Sequence, residues 1–142
     1  MKVMIINGPN LNLLGKREKA IYGNMSFDDY LVKLNAEFPN IQIDYYQSNI
    51  EGELINKLHE VDSLYQVILL NAGGYTHTSV ALADAVLAIE TPVIEVHISN
   101  IYAREDFRHK SLISNVADGI ICGLGTEGYT LALKASLNLI KK

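Results

Sequence analysis

Two hydrophobic rhythms alternate along this chain. The run KVMIIN at Lys2–Asn7 is almost continuously apolar and is closed by Gly8 and Pro9, which predicts a strand followed by a turn. From Ser26 the period lengthens. Phe27, Tyr30, Leu31 and Leu34 fall at i, i+3, i+4 and i+7, Ser26 and Asp29 have capping-box spacing, and Pro39 marks a stop, so this segment predicts a helix. Residues 41–46 return to a strand pattern, and Glu51–Val61 to a helix with Leu54, Ile55 and Leu58 on one face. The QVILLN run at 66–71 is apolar without alternation, the signature of a strand buried on both faces. Thr78 or Ser79 can cap a third long helix running to residue 89. Pro92 precedes a strand over 93–99, residues 119–123 centre a fifth, and Thr126 starts a last helix through Leu139.

Strands alternating with helices through short connections imply a parallel sheet covered on both faces. Five such units in 142 residues predict one domain, residues 1–142, with the three-layer flavodoxin-like strand order 2-1-3-4-5. The helix SVALADAVLAI is apolar nearly all round, so it must be covered on more than one side. In a domain this small the second side is expected to meet another copy of the chain, with the lone charge, Asp84, at or near that contact.

Composition narrows the functional classes. With 49% apolar residues the chain can bury a sizeable core. A net charge of −4 argues against general nucleic-acid binding, which needs a basic face. No stretch approaches a membrane-spanning length, no signal-peptide pattern opens the chain, and a single cysteine, Cys122, rules out an intrachain disulfide; a cytoplasmic protein with no membrane partner is expected. Cys122 lies in the apolar run GIICG and reads as a buried strand residue. All three arginines, Arg17, Arg104 and Arg108, fall in two loop-like segments, KREK and AREDFRHK. Guanidinium groups gathered on loops of an acidic protein point to a small anionic ligand.

In an open parallel sheet, ligands bind beyond the carboxyl ends of the strands, near the reversal of strand order. That rule selects Asn7, Asn10, Asn12 and the loop to Gly23 after the first strand. After the third it selects Asn71, Gly73, Gly74 and His77, and after the fourth Glu95, His97 and Ser99. Within the fourth strand, Val93, Glu95 and His97 face one side while Ile94, Val96 and Ile98 face the other. A carboxylate two residues from an imidazole in an apolar strand needs partners for both. Alone, such a pair reads best as structural; with Ser99, Asn100 and an arginine loop following, a functional role is favoured. The loop over residues 14–24 is bracketed by Gly15 and Gly23 and has the character of a lid. It holds Arg17 and Tyr22, and a nearby cation favours a phenolate, which can act as a general base. Gly73 and Gly74 before a helix start could cradle an anion, but they form no nucleotide-binding fingerprint. The four histidines have no metal-ligand spacing, so neither metal nor organic cofactor is expected.

The segments NGPNLNLLG, REKAIYG, NAGGYTHTS and IEVHISN occur in this order, and with QSNIEGELI and ICGLGTEGYTLAL they cover practically the whole chain. In them the chain resembles the type II 3-dehydroquinases. The resemblance implies a flavodoxin-like subunit assembled as a dodecamer of trimers and no cofactor. It also implies the third step of the shikimate pathway, anti elimination of water from 3-dehydroquinate through an enolate to give 3-dehydroshikimate. Carried over by position, it makes Tyr22 the base for the proton α to the ketone and Arg17 the cation that holds it as tyrosinate. Asn12 helps stabilise the enolate, His97 protonates the departing C1 hydroxyl, and Glu95 orients His97. Asn71, Gly74 and His77 fall among the substrate-binding positions, Ile98 and Ser99 at the carboxylate site, and Arg104 and Arg108 on the loop that grips ring hydroxyls. Asp84 matches an acid that reaches a neighbouring subunit's site.

Three positions depart from the family's usual pattern. Lys19 stands where the lid commonly has proline, Ala83 where arginine often precedes Asp84, and Tyr102 where histidine is frequent. They bear on lid dynamics and subunit contacts and leave the proposed chemical groups intact. The alternatives are a catalytically inactive oligomeric relative and a small-anion or flavin-binding module on the same fold.

Overall fold

The computed structural model describes residues 1–16 and 18–139, with Tyr22 described through its backbone only. Strands β1 (Lys2–Asn7), β2 (Gln42–Gln47), β3 (Val67–Asn71), β4 (Val93–His97) and β5 (Gly119–Cys122) form one sheet in the order β2-β1-β3-β4-β5. Every neighbouring pair is parallel. This is the flavodoxin-like arrangement expected from the alternating rhythms.

The faces of the sheet follow from the two-residue period of its strands. Val3 and Ile5 of β1, Leu69 of β3 and Ile94 and Val96 of β4 pack on one side. They meet Phe27, Tyr30 and Leu34 of helix α2 (Phe27–Glu37) and Tyr129, Ala132 and Leu133 of helix α5 (Glu127–Leu139). Met4 and Ile6, with Ile68 and Leu70, face the other way. They pack on Leu54, Leu58 and Val61 of α3 (Glu51–Val61) and on Leu82, Ala85 and Val86 of α4 (Val80–Ala88). An apolar run without alternation in β3 is therefore what two covered faces require.

Several element ends differ from the sequence reading, each for a local reason. The second strand begins at Gln42, because the Ile41 N–H closes a turn onto the Phe38 carbonyl, 3.1 Å away. The third begins at Val67, one residue after the predicted start. The fourth stops at His97, so Ile98 and Ser99 leave the ladder and turn over the strand end. The fifth stops at Cys122, since Gly123 turns into the left-handed region at φ 89°. Cys122 is only half-buried, contrary to expectation, because β5 is an edge strand. Of the two candidate caps for α4, Ser79 is the one used: its hydroxyl accepts from the Leu82 N–H at 2.9 Å. Ser26 caps α2 as predicted, accepting from the Asp29 N–H at 3.2 Å. The lid segment, read as loop throughout, contains a helical turn, α1 (Lys19–Tyr22). Lys19 is its first residue, a position where proline also fits a helix.

Helix α4 buries Leu82, Ala83, Ala85 and Val86, while Val80 and Leu87 are 63% and 70% exposed. Asp84 lies exposed on the same helix. One side of a nearly all-apolar helix is thus uncovered within the single chain.

The ends of β1 and β3 approach each other tightly. The Gly8 N–H donates to the Asn71 carbonyl at 2.7 Å, and a Cβ on residue 8 would lie 2.6 Å from the Ala72 carbonyl oxygen. Backbone on both sides leaves no flexible side chain to yield. Gly8→Ala is expected to cost about 1–3 kcal/mol, as overpacking of a tight interior does. Urea denaturation checks it, and a variant with the wild-type midpoint would show that the strand ends can separate without cost.

Candidate active site

The carboxyl ends of β1, β3 and β4 open onto a cleft of about 140 Å³. It lies at the reversal of strand order, where β1 is flanked by β2 on one side and β3 on the other. From the β1 side it is lined by Pro9, Asn10, Leu11 and Leu14. From the β3 side come Asn71, Gly73, Gly74 and His77, and from the β4 side His97, Ile98, Ser99, Ile101, Arg104 and Arg108.

Of the positions singled out from sequence, the fold brings Asn10, Asn71, Gly73, Gly74, His77, His97, Ile98, Ser99, Arg104 and Arg108 to this cleft. Glu95 stands directly behind it, bonded to His97. Asn12 is exposed on the turn Leu11–Leu13, and Asn10, just before that turn, lines the cleft. Asp84, on α4, is not among the lining residues of its own chain's cleft. Arg17 and the Tyr22 side chain lie outside the described residues.

Floor and wall are set by buried polar bonds. Tyr129 of α5, with no solvent exposure, donates its hydroxyl to Asn7 Oδ1 at 2.7 Å and accepts from Asn71 Nδ2 at 2.9 Å. Burial pushes its phenol well above the ordinary value, so it remains a neutral hydroxyl that can do both. Asn71 Oδ1 accepts in turn from the Gly73 N–H at 3.1 Å, which ties the β3 end to the turn Gly73–His77. One N–H of Asn71 and one lone pair of its oxygen have no partner in these bonds.

Glu95 is fully buried, yet it is ionised. Burial alone would raise its pKa, but the hydrogen bond and charge of His97, together with the Ser114 and Thr76 hydroxyls, outweigh burial and bring it from 4.5 to about 2. Its Oε1 accepts from His97 Nε2 at 2.6 Å, Thr76 Oγ1 at 2.6 Å and Ser111 Oγ at 2.7 Å. Its Oε2 accepts from Ser114 Oγ. Thr76, Ser111 and Ser114 were not anticipated from sequence. The available signal was Glu95 itself, because a buried carboxylate in an apolar strand requires several donors.

The two cleft histidines turn different ring nitrogens to the cleft. An ionised carboxylate only accepts, so the His97 nitrogen facing Glu95 carries hydrogen and Nδ1 is left for the cleft. His77 Nδ1 lies 2.7 Å from the Lys110 carbonyl, another obligate acceptor, which leaves Nε2 as its free nitrogen. Burial lowers the His77 pKa, the Lys110 carbonyl partly offsets this, and the charges of His97 and Arg108 lower it further. A neutral His77 therefore presents a lone pair to the cleft. The rings stack, with centroids 6.4 Å apart.

Both loop arginines are oriented before any ligand arrives. Arg108 Nε donates to Glu105 at 2.6 Å, and Arg104 Nη1 donates to Ser99 Oγ at 3.2 Å. Their positions would place positive charge over the end of β4. Among the described residues no cluster of three or more His, Cys, Asp or Glu side chains could hold a metal. No helix among them is long and apolar enough to cross a membrane.

Fold and cleft together define a flavodoxin-like α/β protein whose switch-point cleft carries groups able to give and take protons. The sequence model for dehydroquinase class II matches residues 1–137, and the chain belongs to that family. A 3-dehydroquinate dehydratase of Francisella philomiragia is 52% identical over 142 residues, 99% of this chain and 97% of that protein. One of Proteus mirabilis is 49% identical over 138 residues, 96% of this chain and 94% of that protein. The crystal structure of the type II dehydroquinase from Butyrivibrio crossotus superposes with a TM-score of 0.90 at 45% identity, covering 96% of this chain and 97% of that one.

The Glu95 carboxyl titrates lower in the folded chain than in the unfolded one, so its ionisation favours folding. That contribution is complete above the unfolded value near 4.5 and is lost as pH falls towards about 2. Glu95→Gln should therefore destabilise by on the order of 3 kcal/mol at neutral pH. Denaturation midpoints of the two proteins should converge as pH drops below 4.5. A stability gap that stays constant with pH would contradict an ionised Glu95.

Proposed function

We propose that this chain is a 3-dehydroquinate dehydratase that removes water by anti elimination through an enolate, with 3-dehydroshikimate as the product. Membership of the dehydroquinase class II family over residues 1–137 supports the reaction. The observation that carries the reading is His97, backed by an ionised, fully buried Glu95 and facing a cleft crossed by two arginines.

The substrate is a β-hydroxy ketone, and its dehydration needs a base at the acidified C–H, stabilisation of the developing oxyanion and an acid for the leaving hydroxyl. Tyr22, held as phenolate by Arg17, takes the proton α to the ketone, and the C–H electron pair moves into the enolate. Asn12, acting through a water, stabilises the enolate oxygen. The enolate electrons then expel the C1 hydroxyl as His97 gives it a proton, so one water leaves. Solvent returns the proton taken by Tyr22 to His97. Glu95, bonded to His97 Nε2, aims the ring. His77 and Asn71 receive substrate hydroxyls, Ile98 and Ser99 the carboxylate, Arg108 grips ring hydroxyls with Arg104 beside it on the loop, and Gly74 borders the same site. This chemistry asks for no metal or organic cofactor.

The working unit is a homo-oligomer, a dodecamer built from trimers. The uncovered Val80 and Leu87 on α4 support such a contact. Asp84, exposed beside them, is suited to reach a neighbour's cleft. The cytoplasm is the compartment that fits this role.

The test is ultraviolet absorbance after mixing the protein with 3-dehydroquinate in EDTA, on material whose mass is established by sedimentation. A steady rise from the conjugated enone is expected from wild type. Tyr22→Phe should lower turnover about 100-fold or more with little change in substrate affinity. A flat trace from folded oligomer would turn the assignment to an inactive relative. A Tyr22→Phe protein as fast as wild type would remove Tyr22 as the base, and a monomer would remove the oligomeric part.

A further inference from the structure

A short segment at the end of the arginine loop bonds to His77 directly and reaches His97 through Glu95. Residues 110–114 follow the arginine loop and run beneath the turn Gly73–His77. The Lys110 carbonyl meets His77 Nδ1 at 2.7 Å. Two residues on, the Leu112 N–H donates to the Thr76 carbonyl at 2.7 Å, which fastens the segment to that turn. The hydroxyls of Ser111 and Ser114 both end on Glu95, and Glu95 on His97. Ile113, between them, has no solvent exposure and sits in the core cluster with Leu82 and Val93. The segment also braces itself, with the Ser114 N–H donating to Ser111 Oγ at 3.0 Å and the Val116 N–H to the Ile113 carbonyl at 3.0 Å.

We propose that residues 110–114 are a positioning element that sets which ring nitrogen each cleft histidine turns to the substrate, with Ser111 and Ser114 acting through Glu95 on His97 and the Lys110 carbonyl acting on His77. The inference rests on the reading of His97 as the acid of the dehydration. A carbonyl accepts only, so His77 keeps its hydrogen on Nδ1 and offers the Nε2 lone pair. A carboxylate pinned by hydroxyls on both oxygens cannot rotate away from His97, so that ring keeps its hydrogen on Nε2 and exchanges protons through Nδ1. One rigid segment thereby imposes opposite tautomers on stacked rings whose centroids are 6.4 Å apart. Without it, a ring flip at either position would exchange donor for acceptor at the cleft. The charged and titratable groups near the pair are Glu95 on the same strand, His77 on the turn, and Arg104 and Arg108 on the loop. Ser111 and Ser114 touch the ligand nowhere in this scheme.

Magic-angle-spinning NMR of the oligomer labelled with 15N-histidine reads the tautomers directly, with the exposed His59 and His109 as internal references. Neutral His77 is expected to carry hydrogen on Nδ1 and neutral His97 on Nε2. In Ser111→Ala and Ser114→Ala, His97 should become a tautomer mixture. Turnover of 3-dehydroquinate should fall about tenfold, the factor for one lost hydrogen bond to a charged group, with KM within about twofold. Ser114→Thr, which keeps a hydroxyl, should restore both signals. A wild-type His77 protonated on Nε2 overturns the proposal without any variant. So do alanine variants that melt earlier yet keep wild-type His97 signals and turnover. If the wild-type tautomers are as expected but 3-dehydroquinate is not consumed, the dehydratase reading fails while the positioning role stands.

Discussion

A carboxylate with no access to water organises this molecule. Desolvating Glu95 costs several kcal/mol unless its oxygens are saturated with donors. Three hydroxyls and an imidazole do so, and they come from β4, from the turn after β3 and from the segment before β5. Each donor must therefore be delivered accurately from a different part of the chain. The turn Gly73–His77 lies against the sheet end, and residues 110–114 are held against the turn, in part to meet this need. The same bonds present His97 to the cleft in one orientation. Stability of the buried charge and placement of the reacting ring are consequently one structural problem with one solution.

A second buried network does for the β1 side what Glu95 does for the β4 side. Tyr129 bridges Asn7 and Asn71, which are register partners at the ends of β1 and β3. It ties α5 to the point where strand order reverses. Phe27 packs edge-on to the same ring, with centroids 4.9 Å apart, so α2 is anchored there too. The cleft is thus open to ligand but closed beneath by neutral groups bonded to one another. Among the described residues that line or back the cleft, charge comes from Glu95 on the β4 side and from Arg104 and Arg108 on the arginine loop.

The sheet was legible because parallel strands covered on both faces must be apolar throughout, as in VILLN, and because the helices announce themselves by caps such as Ser26 and Ser79. Strand ends were less legible. Whether Ile98 and Ser99 continue a ladder depends on where Gly123 lets β5 turn away, which is a relation between distant segments. Glu95 and His97 could be paired from their two-residue spacing alone, but Thr76, Ser111 and Ser114 could not, since serine and threonine in a turn look the same whether they face water or a buried charge. The strand-end rule selected Asn10 and Asn12 alike and family resemblance gave Asn12 its role, whereas the turn that leaves Asn10 lining the cleft and Asn12 exposed, with Asn10 at a left-handed φ of 69°, is encoded by no pattern of polarity. Asp84 could be marked as unusual on an apolar helix, and it lies exposed there, outside the lining of its own chain's cleft.

The placement of His97 depends on Glu95 being charged inside the protein, and infrared difference spectroscopy between wild type and Glu95→Gln observes that charge directly. The carboxyl group missing from the variant should contribute only ionised carboxylate bands to the wild-type spectrum at neutral pH, with the neutral-acid carbonyl stretch appearing only in strong acid. A neutral-acid stretch at neutral pH that vanishes in the variant would mean that the proton rests on Glu95, leaving His97 without the buried charge that is held to orient it.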